Sequence, residues 1–213
     1  MVQRKIHEKH SVLLRIFHWV NVPILLLMIW SGILIYWAYQ PYVKIPDNIG
    51  PFQIHHRLAE GMGWHFFLMW PLLINGLFYL IYLLFSKHWK QLIPSLDDFP
   101  KAIQYTLFDL KLRSKEPQWE GLYNPAQKIA YSSVILFAMG SLLTGLAIFK
   151  PVQLGFITEL FGGYASARFL HFVFMSGLLF FTVIHIIQVI RAGWNNFRAM
   201  VAGFEVEEEK NDT

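Results

Sequence analysis

The chain has 213 residues, 55% of them hydrophobic and 17% aromatic against 15% charged, with no cysteine and a formal net charge of +4. That balance is too apolar for one soluble domain of this size. The missing thiols exclude disulfides and every thiolate-based motif, and no nucleic-acid recognition module accompanies the positive charge.

Four apolar runs of about twenty residues follow one another, each long enough to cross a hydrocarbon core of roughly 30 Å. They predict transmembrane helices over 17–39, 64–85, 129–149 and 169–190. The first follows the polar stretch His7, Glu8, Lys9 and is too long for the apolar region of a signal peptide, so it is read as retained. Between the first two runs lies a long connection, 40–63. Between the second and third, Pro94, Pro100, Pro117 and Pro125 mark a loop whose middle, Asp97 to Leu112, is patterned as a short amphipathic surface helix. The last connection, about Gly155 to Tyr164, is short. No composition break or repeat divides the chain, which reads as one membrane domain, 1–213.

Basic residues set the orientation. The N-terminal segment, the 86–128 loop and the tail after Ile190 hold 14 of the 18 lysines and arginines, leaving Lys44, Arg57, Lys150 and Arg168 for the opposite side. The positive-inside rule therefore places both termini in the cytoplasm. The fold class expected is an all-α membrane protein, a four-transmembrane-helix bundle.

Ionisable groups at membrane depth are costly and usually functional, which singles out four of the nine histidines: His18, His65, His171 and His185. His171 and His185 are fourteen residues apart, about 21 Å along one helix and within roughly 40° of one face. Counted from the basic boundary residues, His18 and His185 share the inner level and His65 and His171 the outer. His56 would stand about 13 Å beyond His65 and takes its place only if the second helix is strongly tilted or broken. Two histidine pairs, one above the other, suit two stacked bis-imidazole haems. Without a cysteine for covalent attachment these would be non-covalent haem b, and with both axial positions filled the iron would relay electrons and not bind oxygen. The competing readings are buried hydrogen-bonding histidines, a zinc site, whose ligands must converge on one ion, and a proton-relaying transporter.

The segments "LLRIFHWVNVPILLLMIWSG", "WHFFLMWPLLINGLFYLIY" and "ARFLHFVFMSGLLFFTVIHIIQV" resemble the di-haem membrane cytochrome b subunits of the formate dehydrogenase gamma, nickel-iron hydrogenase and bacterial b-561-like family. The resemblance covers essentially the whole chain. It implies a multi-pass protein of the bacterial inner membrane that moves electrons between the quinone pool and a partner on the periplasmic side: a molybdenum enzyme, an iron–sulfur protein or a hydrogenase. It implies His18 and His185 as ligands of the inner haem iron and His65 and His171 of the outer one. "GLYNPAQKIAY" is similar to the family's Asn-x-x-Gln quinone stretch, which implies a quinone site at Asn124 and Gln127. The same two residues also read as a helix cap, with Pro125 at the first helical position.

Arg15, Arg57 and Arg168 are candidate partners for haem propionates, since a guanidinium fork matches a carboxylate. No nucleophile, acid–base cluster or nucleotide loop is present, so the chain reads as an electron-transfer subunit. The alternative is a stand-alone cytochrome b of the superoxide oxidase or metal reductase type, exchanging electrons with quinone.

Overall fold

The computed structural model describes residues 4–44, 56–115 and 117–208. In chain order the elements are β1 (Arg4–Glu8), α1 (Val12–Tyr39), α2 (Leu58–Phe85), α3 (Trp89–Leu92), α4 (Asp98–Asp109), α5 (Pro125–Phe149), α6 (Gly155–Leu160), α7 (Tyr164–Ala202) and β2 (Phe204–Glu208). Helices α1, α2, α5 and α7 are long and apolar enough to cross a membrane. All four expected spans are present, and each begins four to six residues earlier than its hydropathy suggests. The reason is that an apolar run marks only the buried length of a helix, whereas caps and polar first turns extend it. Ser11 caps α1 by accepting from the Leu14 N–H at 3.3 Å, and the Asn124–Gln127 box starts α5. The expected amphipathic segment in the 86–128 loop is α4.

The residues pack as two units, Met1–Leu80 with Ile186–Thr213, and Ile81–His185. In the first, α1 and α2 run antiparallel. Asn75 Nδ2 donates to the Phe17 carbonyl at 3.2 Å, the Phe17 and Tyr79 rings meet edge-on at 5.9 Å, and further along Gly32 faces His65. The closest approach is at Gly61, where an added Cβ would lie 2.8 Å from Leu34 Cβ and 3.1 Å from the Ser31 carbonyl oxygen.

The tails depart from the all-helical expectation. Strands β1 and β2 form a two-stranded antiparallel sheet with Ile6 opposite Val206, so the two ends of the described chain lie on one side. Helix α7 also continues past its apolar run. It breaks at Gly193, φ 79°, and resumes to Ala202, after which Gly203 at φ 94° ends it in the left-handed conformation that glycine supplies without strain. The exposed carbonyls of that last turn are satisfied from α1: Arg15 Nη1 donates to Val201 O at 2.7 Å and Trp19 Nε1 to Met200 O at 3.0 Å. Lys9 adds an ion pair to Glu205 at 2.6 Å.

In the second unit, α5 and the 164–185 part of α7 are antiparallel and interlock reciprocally. The Phe174 ring of α7 lies over Gly140 of α5, and the Phe137 ring of α5 lies over Gly177 of α7. At one end Ala147, Ile157 and Ala167 form a small core between α5, α6 and α7. Near the other, α4 is held to α5 by buried Asp98, which accepts from Ser95 N at 2.8 Å and Ser95 Oγ at 3.0 Å and pairs with Lys128 at 3.3 Å. Burial raises the Asp98 pKa, but these bonds outweigh it and leave the carboxyl below its ordinary range.

Candidate functional site: histidine seats at two depths

Each unit carries two of the four membrane histidines, and within each unit they stand at two levels. In the first, His65 of α2 faces Ser31–Gly32 of α1, thirteen residues along α1 from His18, which is about 20 Å of helix rise. In the second, α7 is helical through both His171 and His185, fourteen residues or about 21 Å apart. Each unit thus spaces its two histidines by about 20 Å of helix rise.

His65 and His171 sit in matching seats. Behind His65 the partner helix presents a hydroxyl followed by glycine: Ser31 Oγ is 3.0 Å from His65 Nδ1, and a Cβ on Gly32 would come 3.6 Å from the ring. Behind His171, α5 presents Thr144 and Gly145. Thr144 Oγ1 is 3.1 Å from His171 Nδ1, the Ser141 carbonyl is 3.0 Å from the same nitrogen, and a Cβ on Gly145 would come 3.3 Å from the ring. Ser31 and Thr144 are both fully buried.

The hydrogen bonds assign the tautomers. Ser31 Oγ donates to Met28 O at 2.9 Å and Thr144 Oγ1 to Gly140 O at 2.6 Å, so each hydroxyl proton is committed to its own helix and the oxygen accepts. The Ser141 carbonyl can only accept. His171 therefore carries its proton on Nδ1, and His65 does the same when the Ser31 proton lies on Met28 O. That is the form in which a histidine ligates a metal, with the other ring N–H held by an oxygen. Sequence inspection did not single out Ser31, Ser141 or Thr144. The available signal was the pair of hydroxyl–glycine dipeptides, Ser31–Gly32 and Thr144–Gly145, inside apolar runs.

His18 meets the Trp19 ring edge-on at 5.2 Å, and His185 is stacked on Phe181 at 5.6 Å with 8° between the planes. His56 is exposed in the turn ahead of α2, away from the seat that holds His65. Among the described residues no group of three or more His, Cys, Asp or Glu side chains is placed to hold a metal ion.

The three arginines differ. Arg57 is engaged locally, forking onto Glu60 at 2.7 and 2.5 Å with its guanidinium over Trp30. Arg168 lies over the Tyr164 ring. Arg15 spends Nη1 on the end of α7, while its Nε is buried without a hydrogen-bond partner; this is the sort of donor that an incoming carboxylate would satisfy. Asn124 and Gln127 form a complete capping box: Asn124 Oδ1 accepts from Gln127 N at 2.9 Å and Gln127 Oε1 from Asn124 N at 3.1 Å. The cap reading is thereby realised, and each amide oxygen accepts one backbone N–H in it. The antiparallel register of α5 and α7, with Thr144 at His171 and Phe137 at Gly177, carries this box to the end of the unit that holds His185.

Residues 9–203 match the family model of the prokaryotic cytochrome b561. The chain is also 35% identical over 193 residues to the putative protein-methionine-sulfoxide reductase subunit YedZ1 of Azospira oryzae, covering 88% of this chain and 93% of that protein. The chain belongs to the prokaryotic cytochrome b561 family and is a multi-pass, haem-dependent electron-transfer subunit of the bacterial inner membrane.

Proposed function

We propose that the chain, as one membrane domain with cytoplasmic termini, carries two b haems and links the quinone pool to a periplasmic redox subunit. His65 and His171 would hold the outer haem iron and His18 and His185 the inner one, with Arg15 beside the inner propionates. The observation that carries this reading is the pair of matched seats: two histidines, each with Nδ1 beside a buried hydroxyl and a glycine of the partner helix behind its ring. The residues fit the group. Haem supplies one-electron redox chemistry when bound; the chain supplies ligand orientation and the glycine clearance beside each ring.

Quinone is assigned to Asn124 and Gln127. With both amide oxygens used in the cap, Nδ2 and Nε2 remain as donors toward a quinone carbonyl. The relative is named as a subunit of a reductase; applied here, that favours a partner-dependent subunit over a stand-alone superoxide oxidase or metal reductase, with electrons flowing from quinol outward. Arg57 is already paired with Glu60, so it is the weakest of the three propionate candidates.

Gln127→Ala should retain the haems and slow their reduction by a soluble quinol analogue. In proteoliposomes, electron transfer from the inner to the outer side should respond to membrane potential, each charge crossing the full field being worth about 2.3 kcal/mol per 100 mV. A parental quinol rate in Gln127→Ala and Asn124→Ala would place the site elsewhere, and a potential-independent reaction would remove the transmembrane route.

A further inference from the structure

One titratable group near the candidate quinone site has no part in the scheme above. His88 lies in the turn between α2 and α3, half-buried, with Nε2 3.0 Å from the Tyr123 hydroxyl. Tyr123 is only 8% exposed and Asn124, the residue after it, 5%. The Tyr131 ring of α5 closes on Tyr123 edge-to-face at 5.2 Å, and Tyr82 of α2 lies against His88 at 6.4 Å. Among the described residues, Tyr82 and Tyr123 are the titratable groups shown facing His88 from packed elements; Lys87 and Lys90 flank it in sequence.

The need for such a pair follows from the capping box. Quinol presents O–H groups and must lose two protons along with two electrons. The Asn124 and Gln127 oxygens are already accepting backbone N–H bonds, and their amide nitrogens can only donate. An amide oxygen is moreover far too weakly basic to take a proton outright, so the box can hold a quinone carbonyl but cannot receive a quinol proton. A titratable acceptor is needed next to it, and Tyr123 is the residue before Asn124 in the chain, with His88 on its hydroxyl.

We propose that His88 and Tyr123 are the proton-accepting pair for quinol bound at Asn124–Gln127, an inference that rests on the quinone assignment made above. With the ring proton on Nδ1, Tyr123 donates to His88 Nε2. A quinol hydroxyl gives its proton to Tyr123 Oη as the tyrosine proton passes to Nε2, leaving an imidazolium, while one electron leaves to haem b. The imidazolium then releases its proton to water at the exposed Ser86–Lys87 turn, and the pair is reset for the second proton and electron. Partial burial lowers the His88 pKa, which keeps the imidazole neutral and able to accept.

The test uses the haem-loaded protein and a soluble quinol analogue, following haem reduction by stopped-flow absorbance from pH 5.5 to 8.5. His88→Asn and Tyr123→Phe should keep the haem spectra and the quinol KM while lowering the maximal rate about a hundredfold. The loss of rate that the parent shows on acidification, as His88 becomes protonated beforehand, should disappear in His88→Asn. Added imidazole should restore rate to a His88→Gly variant, which a purely structural role would not allow. Parental rate and pH profile in His88→Asn would overturn the relay. The two assignments fail separately: if Asn124→Ala and Gln127→Ala slow the reaction and His88→Asn does not, only the relay falls; if His88→Asn slows it and the amide variants do not, the relay stands and quinone binds elsewhere.

Discussion

The two histidine seats are built alike but held with different tightness. Behind His65 stands one serine hydroxyl and a glycine whose added Cβ would meet the ring at ordinary contact distance, 3.6 Å. Behind His171 stand a threonine hydroxyl, a backbone carbonyl and a glycine whose added Cβ would press to 3.3 Å. A carbonyl cannot rotate away or act as a donor, so His171 has its tautomer and ring plane fixed twice over, whereas His65 depends on how Ser31 places its proton. If His65 and His171 hold one haem as proposed, one ligand is rigid and the other adjustable, and substitutions at equivalent positions should have unequal effects.

The largest effects should come from the helix contacts that hold the seats. An added Cβ at Gly140 would lie 2.6 Å from the Phe174 ring and one at Gly61 2.8 Å from Leu34 Cβ. Gly140→Ala and Gly61→Ala should each destabilise by about 1–3 kcal/mol of overpacking, read as a lower thermal midpoint in detergent. Gly61 should be the worse, because backbone atoms of α1 also crowd it, whereas a phenylalanine ring can swing. Next come the seat glycines: Gly145→Ala should weaken outer-haem retention about tenfold through the displaced His171 ring, while Gly32→Ala leaves haem content at the parental level. Equal losses in the two would mean the seats are equivalent.

Smaller still are changes in potential. A hydrogen bond to Nδ1–H makes the imidazole a stronger donor and favours ferric iron. Ser31→Ala should therefore raise the outer haem midpoint potential by tens of millivolts, a tenfold change in a one-electron equilibrium being about 59 mV. Thr144→Val should raise it less, because the Ser141 carbonyl still holds His171. Redox titration followed in the α band decides; a larger shift for Thr144→Val would invert the comparison. Arg57→Ala should leave haem content and spectra unchanged, its fork being occupied by Glu60.

The weakest effect lies away from the seats, where Asp98 docks α4. Its folded pKa lies below the ordinary value, so its contribution is present at neutral pH and disappears as pH falls through the folded value. Asp98→Asn should make the 110–120 segment more sensitive to limited proteolysis at pH 7, and the parent should match it below the carboxylate range.

The spans were legible in the sequence because membrane helices declare themselves by local composition, and the four histidines stood out against it. The Asn124 cap was legible for the same reason: donor and acceptor are three residues apart. The Arg57–Glu60 pair has that spacing too. The seats were not legible, because Ser31 meets His65 across 34 residues and Thr144 meets His171 across 27, distances that only an antiparallel helix register resolves. His88 and Tyr123 are likewise 35 apart. The β1–β2 sheet escaped notice because its strands are five residues each at opposite ends of the chain, too short to show a period.

The most direct measurement is the haem-to-protein ratio by pyridine haemochrome, on the purified parent and on His65→Ala and His171→Ala. The two-seat arrangement predicts two b haems per chain in the parent and one in each variant, with the same spectral component missing from both. One haem in the parent, different components lost in the two variants, or loss with His56→Ala while His65→Ala keeps both, would contradict it.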